Sequence, residues 1–225
     1  MLLAIMNYPT INFINRYGPE MIQRSMEHLY LVIVAIVIST IVGIPLGILV
    51  TRKPKLKKPI LGFANIMQTI PSLALFGLLI PVPVLGGIGD RTAIIALTLY
   101  SLLPIIRNTY TGIVGVDRAI VAAGTGMGMT DMQLLWQVEL PLALGVILAG
   151  VRVAAVIAIG LATIAAAIGA GGLGVFIFRG VATVNNQLLL AGAIPAALMA
   201  LAADFGLGFV EARLSKSTLK TVDED

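Results

Sequence analysis

From His28 to Thr51 the chain carries no acidic or basic side chain apart from the opening histidine. At ~1.5 Å per residue a helix of that length crosses the ~30 Å hydrocarbon core of a bilayer, where only helices and closed barrels satisfy every backbone polar group. This one stretch limits the chain to folds built around membrane helices. Composition agrees, since 58% of the 225 residues are hydrophobic, 12% are charged and mean hydropathy is +1.00. A soluble domain needs roughly twice that charged share. The absence of cysteine excludes disulfide frameworks, iron–sulfur clusters and thiol nucleophiles, and a single histidine makes a metal centre unexpected.

Arg52, Lys53, Lys55, Lys57 and Lys58 follow the first span at once, and the positive-inside rule assigns such a cluster to the cytoplasm, leaving the N-terminus outside. Pro59 to Gly89 is uncharged for longer than one crossing needs, and Pro71, Pro81 and Pro83 must break or bend it. A second span is expected over Ile60 to Ile80, with Pro81 to Arg91 as an external turn. Thr92 to about Thr111 reads as the third span, with Arg107 placed to snorkel to the inner headgroups. Gly112 to Val138 is a long polar cytoplasmic loop, and Leu140 to about Ala167 the fourth span. Residues Gly169 to Asn186, "GAGGLGVFIFRGVATVNN", open on glycines and read as an external re-entrant or surface element, a sixth crossing being the alternative. Gln187 to Val210 is the fifth span.

The expected fold class is therefore an all-α integral membrane protein of about five transmembrane helices, N-terminus out and C-terminus in. Ten basic residues fall on its inner side, against Arg16, Arg24, Arg91 and Arg179 outside, so topology accounts for the net charge of +4 and no nucleic acid is implied. Three parts are expected: an N-terminal interfacial segment (residues 1–27), a transmembrane domain (28–213) and a polar tail (214–225). In the first, Ile11, Phe13, Ile14, Met21 and Ile22 are interspersed with polar groups; a disordered tail is the alternative. Its start lacks a basic region and its apolar run ends at Asn7 and Pro9, so it is not read as a cleaved signal peptide.

The cytoplasmic loop contains "AAGTGMGMTDMQLLWQVELP", Ala122 to Pro141. Asp117 can cap a short helix running through Ala123, with Gly124 as its stop. Gly126 and Gly128 keep the next residues open. Thr130 and Gln133 form a capping box, so a second helix starts there and runs to the Leu140–Pro141 boundary. Met132, Leu135 and Trp136 stand at i, i+3 and i+4, an apolar face with an aromatic anchor. It suits a groove on another protein, or it lies on the bilayer surface.

The spacing Ala122-Ala123-Gly124, three residues, Gly128, nine residues, Val138, one residue, Leu140-Pro141 resembles the EAA motif of the permease subunits of binding-protein-dependent ABC importers. That motif is Glu-Ala-Ala, three residues, Gly, nine residues, Ile, one residue, Leu-Pro. Ala123, Gly128, Leu140 and Pro141 match, Val138 stands for Ile, Ala122 for the leading Glu and Gly124 for the second Ala. The segments "IMQTIPSLALFGLLIP", "LPIIRNTYTGI" and "AAIGAGGLGVFIFRG" look like the osmoprotectant branch, which imports glycine betaine, carnitine, choline or related compounds. The resemblance implies the type I importer permease fold in a prokaryotic plasma or inner membrane. It also implies a coupling role for Ala122, Ala123, Gly124, Gly128, Met132, Leu135, Trp136, Val138, Leu140 and Pro141 against an ATPase subunit. The implied partners are two ATPase copies, a second copy of this permease or a homologue, an extracytoplasmic substrate-binding protein and the bilayer. No cofactor is expected on this chain; ATP and Mg would be held by the ATPase.

Arg152 lies eleven residues beyond Pro141, about half a bilayer deep. There an unpaired Arg costs from ~3 kcal/mol upward, so it needs a partner or water. Asp204 in span five is the other intramembrane charge; either the two meet, or each finds backbone carbonyls or water. Ser72, beside Pro71, is a third polar candidate for the pathway. Gly43 and Gly47 give a G-x-x-x-G spacing able to admit a neighbouring helix, but Pro45 between them favours a kink. No G-x-x-x-x-G-K-[ST] occurs, so nucleotide hydrolysis is assigned to another chain. With no intramembrane carboxylate besides Asp204, a proton-coupled carrier is disfavoured. No paired carboxylates, Ser–His arrangement or metal cluster faces one side, so the chain is not expected to be an enzyme.

Overall fold

The computed structural model describes the backbone of residues 2–83 and 86–223, and side chains for residue 13 and residues 15–83 and 86–214. Nine α-helices follow in order among the described residues: α1 (Leu2–Arg52), α2 (Lys57–Thr69), α3 (Ser72–Leu79), α4 (Asp90–Val114), α5 (Arg118–Gly126), α6 (Asp131–Leu134), α7 (Leu140–Ala165), α8 (Gly174–Ala182) and α9 (Asn186–Asp223). Four helices are long and apolar enough to cross a membrane, and the bent pair α2–α3 brings the number to five if it is one span. The end carrying the Arg52–Lys58 cluster is called inner below, following the charge asymmetry.

The boundary expected at residue 28 is absent, because α1 runs unbroken from Leu2 to Arg52. The segment before His28 is the outer part of this helix, and its Phe13, Tyr17 and Met21 pack against Phe176 of α8 and Leu188 and Ala191 of α9. These side chains meet protein on one side, while Ile22 next to them is exposed. The expected roles of Ile11 and Ile14 lie outside the described side chains. At the other terminus the helix expected to end at Val210 continues to Asp223; the side chains of the polar tail beyond Leu214 are outside the described set.

The central helix is α4, the most buried of the candidate spans. It packs against α1 and α7 along most of its length and against α2 and α3 at its side. Leu31, Val32 and Ala35 of α1, Leu75 and Phe76 of α3, Ala93, Ala96, Leu97 and Tyr100 of α4 and Ala158 to Ala165 of α7 make one core. Small residues permit close approach. At Gly43 an added Cβ would lie 2.8 Å from Ile105 Cγ2, and at Gly47 it would lie 2.5 Å from Thr109 Cβ. The G-x-x-x-G spacing thus seats α1 on α4, and α1 continues as helix through Pro45.

The second span is not one straight crossing, since α2 and α3 meet at 104° across Ile70 and Pro71. Proline disfavours helical angles at the residue before it, and Ile70 takes φ −68, ψ 130. The carbonyl freed at Ile70 accepts from the Tyr100 hydroxyl, while Gln68 Nε2 donates to the Tyr100 carbonyl at 3.1 Å. Partners on α4 therefore satisfy the break. The glycine-rich stretch after α7 holds Gly169, Gly171 and Gly172 at φ +78, +74 and +74 and leads into α8, whose nine residues are about 14 Å, too short for a sixth crossing.

Candidate functional site

The inner loop between α4 and α7 is a built structure. Asp117 Oδ1 accepts from Ala119 N at 2.8 Å and opens α5. Gly124 does not end this helix as expected, since α5 continues to Gly126. Gly124 is buried, and an added Cβ would lie 2.9 Å from Leu134 Cδ1 and 3.0 Å from Met129 Sδ, so its missing side chain admits the neighbouring helix. The stop is Gly128, at φ +86. Gly128 N donates to Thr125 O at 3.0 Å and Met129 N to Gly124 O at 3.1 Å, the paired bonds of a Schellman motif whose left-handed position is glycine's.

The capping box forms as expected: Gln133 N donates to Thr130 Oγ1 at 3.3 Å and Thr130 N to Gln133 Oε1 at 2.9 Å. The helix it starts does not stop at Leu140–Pro141. Asp131 to Ile168 is one 38-residue helical stretch, with a single π turn over Leu135–Glu139 in which Leu140 N donates to Leu135 O. Pro141 lacks a donor and its ring crowds the carbonyl four residues back; widening by one residue lets the helix pass it. The loop's second half is thus a stiff extension of α7.

Exposure divides the loop residues sharply. Met132 and Trp136 are each 63% exposed and bonded to one another, Trp136 Nε1 to Met132 Sδ at 3.1 Å. Ala122, Ala123 and Met127 are exposed as well. Leu135, expected on the same face, is instead 7% exposed and packs with Ile113, Ala143, Ile147 and, from α1, Ile44 and Ile48. The reason is that α4 and α7, with the inner end of α1 beside them, cover that side of the helix; periodicity gave no sign of it. Val138, Leu140 and Pro141 are half-buried at the loop's root. The face offered outward is Ala122, Ala123, Met127, Met132 and Trp136.

At the same root lies a pair absent from the sequence reading. Glu139 is 5% exposed, and both its oxygens accept from the Arg52 guanidinium, Oε1 from Nη1 at 3.2 Å and Oε2 from Nη2. Arg52 was counted only among the basic residues of the topology. The available signal was a lone carboxylate inside an apolar helix, in "WQVELP".

An exposed helical hairpin rooted between three membrane helices, on a glycine-hinged turn, is what comparison with known proteins tests. Residues 43–216 match the family described as binding-protein-dependent transport system inner membrane component. The chain belongs to that family. Relatives include the carnitine transport permease protein OpuCB of Listeria monocytogenes, 42% identical over 95% of this chain and 97% of the relative. The glycine betaine/carnitine/choline transport system permease protein OpuCD of Bacillus subtilis is 48% identical over 90% and 88%, and the osmoprotectant import permease protein OsmW of Salmonella typhimurium 43% over 87% and 92%. Among solved structures, an inward-facing MetNI methionine ABC transporter matches with TM-score 0.70 and 28% identity, covering 83% of this chain and 94% of that one. The fold is that of type I ABC importer permeases, and the chain is a membrane-embedded transport subunit.

Within this permease the intramembrane charges come together. Arg152 Nε lies 3.6 Å from Asp204 Oδ1, and its Nη1 lies 3.6 Å from Glu211 Oε2. Asp204 and Glu211 are seven residues apart, two turns of α9, so both face α7. Between them Gly208 leaves room for the guanidinium; an added Cβ would lie 2.7 Å from Arg152 Nη1. Glu211 lies just past the expected end of span five at Val210, and its part in this clamp has no sign in the sequence. Ser72 is elsewhere, half-buried in the first turn of α3 beyond the bend. Arg107 donates to Asn65 Oδ1 on α2 at 3.0 Å, a protein partner where headgroups were expected.

Proposed function

We propose that this permease, paired with a second copy or a homologous permease, forms the path by which an ATP-driven importer takes up a quaternary ammonium osmoprotectant such as glycine betaine, carnitine or choline. The observation that carries this reading is that relatives named for these solutes align with nearly the whole chain at 40–48% identity. ATP and Mg belong to a separate ATPase, two copies of which grip the two inner loops, and an external binding protein delivers the solute. The exposed Ala122, Ala123, Met127, Met132 and Trp136 make the contact, and Gly124 and Gly128 shape the turn behind it. Closure of the ATPase dimer draws the loops together. Because Asp131 to Ile168 is one helix, the pull tilts α7 directly and α4 through its packing, exchanging inward-open and outward-open states. Arg152, held by Asp204 and Glu211, keeps α9 moving with α7.

A second reading has one observation in its favour, the likeness of the fold to a methionine transporter at 28% identity: the solute is then methionine, another amino acid or another amine. Uptake into proteoliposomes decides. The proposal expects accumulation of radiolabelled glycine betaine, carnitine or choline only with ATP, the ATPase and the binding protein together. Uptake of an amino acid alone would select the second reading, and uptake by the permease without ATPase would make the chain a secondary transporter and refute both.

A further inference from the structure

Glu139 is a buried carboxylate for which the docking face has no use. It points away from that face, toward the last residue of α1. The Arg52–Glu139 pair is bidentate, the geometry in which a guanidinium holds a carboxylate in both position and orientation. Beside it, Ile44 and Ile48 of α1 pack with Leu135 and Leu140. The loop is therefore fastened to α1 as well as to the helices it joins in sequence.

The outer half of α1 is fastened too. His28 is fully buried and its Nε2 donates to the carbonyl of Ile159 on α7 at 3.1 Å. One residue earlier, Glu27 Oε2 accepts from Gly172 N at 3.0 Å and from Arg24 Nη1 at 2.9 Å. Two turns further out, Glu20 takes both terminal nitrogens of Arg179 on α8, at 3.0 and 3.3 Å. Glycine is required for this closeness: an added Cβ at Gly171 would lie 2.5 Å from Glu27 Oε2, and at Gly172 3.2 Å from His28 Nδ1. From His28 to Arg52 is about 36 Å of continuous helix.

The chain connection from α7 to α8 is of a different kind. It passes through Gly169, Ala170, Gly171 and Gly172, three of them at positive φ, a conformation open mainly to glycine, and α8 also touches α7 directly. α8 packs mainly on α9; α1 ties it through Glu20 and Arg179, and ties the glycine turn before it through Glu27. Two antiparallel helices joined at Arg52–Glu139 and at His28–Ile159 move together, and the outer element is fastened to the longer of them as well as to α9.

We infer that Glu139 is a positioning residue of the transport cycle: through Arg52 it makes α1 follow the loop, and α1 carries the displacement to the outer element Gly169–Ala182. This rests on the reading of the loop as the ATPase contact. It makes α1 a rod between the inner loop and the outer element, a role the loop's own sequence does not announce.

The chain has no cysteine, so one introduced at the exposed Ala182 reports the outer element alone. The experiment uses the complete complex of permeases and ATPase in nanodiscs. The rate of Ala182→Cys modification by a membrane-impermeant maleimide is measured with and without trapping by ATP, Mg and vanadate. With Arg52 and Glu139 in place, trapping is expected to change that rate at least about fivefold, the low end of coupling between linked sites. Two variants are then read: Glu139→Gln, and Arg52→Gln together with Glu139→Gln, which leaves no buried charge without its partner. In both the ATPase still copurifies, the response of Ala182→Cys to trapping falls to less than half, and solute carried per ATP hydrolysed falls; Arg52→Glu with Glu139→Arg restores both. A response undiminished in either variant, or missing when Arg52 and Glu139 are intact, overturns the inference. Failure of the underlying reading has another signature: no ATPase copurifies with the unaltered permease.

Discussion

Gly126 and Gly128 stand two residues apart in the same exposed turn, and at neither would an added Cβ meet an atom within 4 Å. Sterics therefore predicts that both accept leucine. Backbone geometry separates them, because Gly128 sits at φ +86 whereas Gly126 closes α5 with helical angles. A side chain at left-handed angles costs about 1–3 kcal/mol, enough to reduce the fraction of correctly folded turns by roughly 5–150-fold where no other contact compensates. The Schellman bonds from Gly128 and Met129 would open, and with them the angle between α5 and α6 that sets the outward face. We expect Gly128→Leu to insert normally yet lose ATPase copurification and substrate-stimulated ATP hydrolysis, while Gly126→Leu keeps both. Gly128→Asn should fall between, since asparagine tolerates these angles better. The measurement is affinity purification of the tagged permease followed by quantification of bound ATPase. Equal behaviour of the two leucine variants, or normal transport by Gly128→Leu, would refute the argument from backbone strain.

Adjacent loop residues should fail in opposite ways. Leu135→Ala removes a buried contact between the loop, α4, α7 and α1 and should cost about 2–5 kcal/mol of stability, seen as a lower Tm in detergent; Trp136→Ala should leave Tm unchanged and abolish coupling. Gly47→Ala pushes a Cβ to 2.5 Å from Thr109 and should cost about 1–3 kcal/mol through overpacking, whereas Gly206→Ala, with nothing within 4 Å, should not lower Tm. Because Arg152 has two carboxylates, Asp204→Asn alone should reduce the folded permease recovered from membranes only slightly. Asp204→Asn with Glu211→Gln strands the guanidinium at a cost from about 3 kcal/mol, and should reduce recovery strongly.

Helix number and placement were legible because each depends on local pattern: charge-free runs, proline positions, and a basic cluster such as Arg52 to Lys58. The capping box at Thr130 and the cap at Asp117 were equally local, each needing only residues within one turn. What escaped depends on neighbours beyond the local turn. Leu135 fits its amphipathic face by spacing alone, yet Ile113 of α4 and Ala143 and Ile147 of α7 cover it. Gly124 reads as a stop until Leu134 of the next helix and Met129 are placed against it. Gly43 and Gly47 show their use only when Ile105 and Thr109 fill the spaces they leave. Glu139 looks like a loop end and Glu211 lies past the expected span, and only the fold gives them Arg52 and Arg152. The N-terminal segment resembled a surface strip because its apolar side chains meet α8 and α9, whose positions no local pattern reveals.

The account depends on the outward face of the inner loop being the contact for a separate ATPase, and cross-linking reads that contact without passing through transport. With Trp136→Cys as the sole cysteine in the permease, a short thiol-to-amine cross-linker applied to the complex should join it to the ATPase subunit, more strongly in the ATP-trapped state. The buried Leu135→Cys at the next position should give none. Cross-linking at neither position, with Trp136→Cys modified instead by a lipid-dissolved probe, would contradict the central claim.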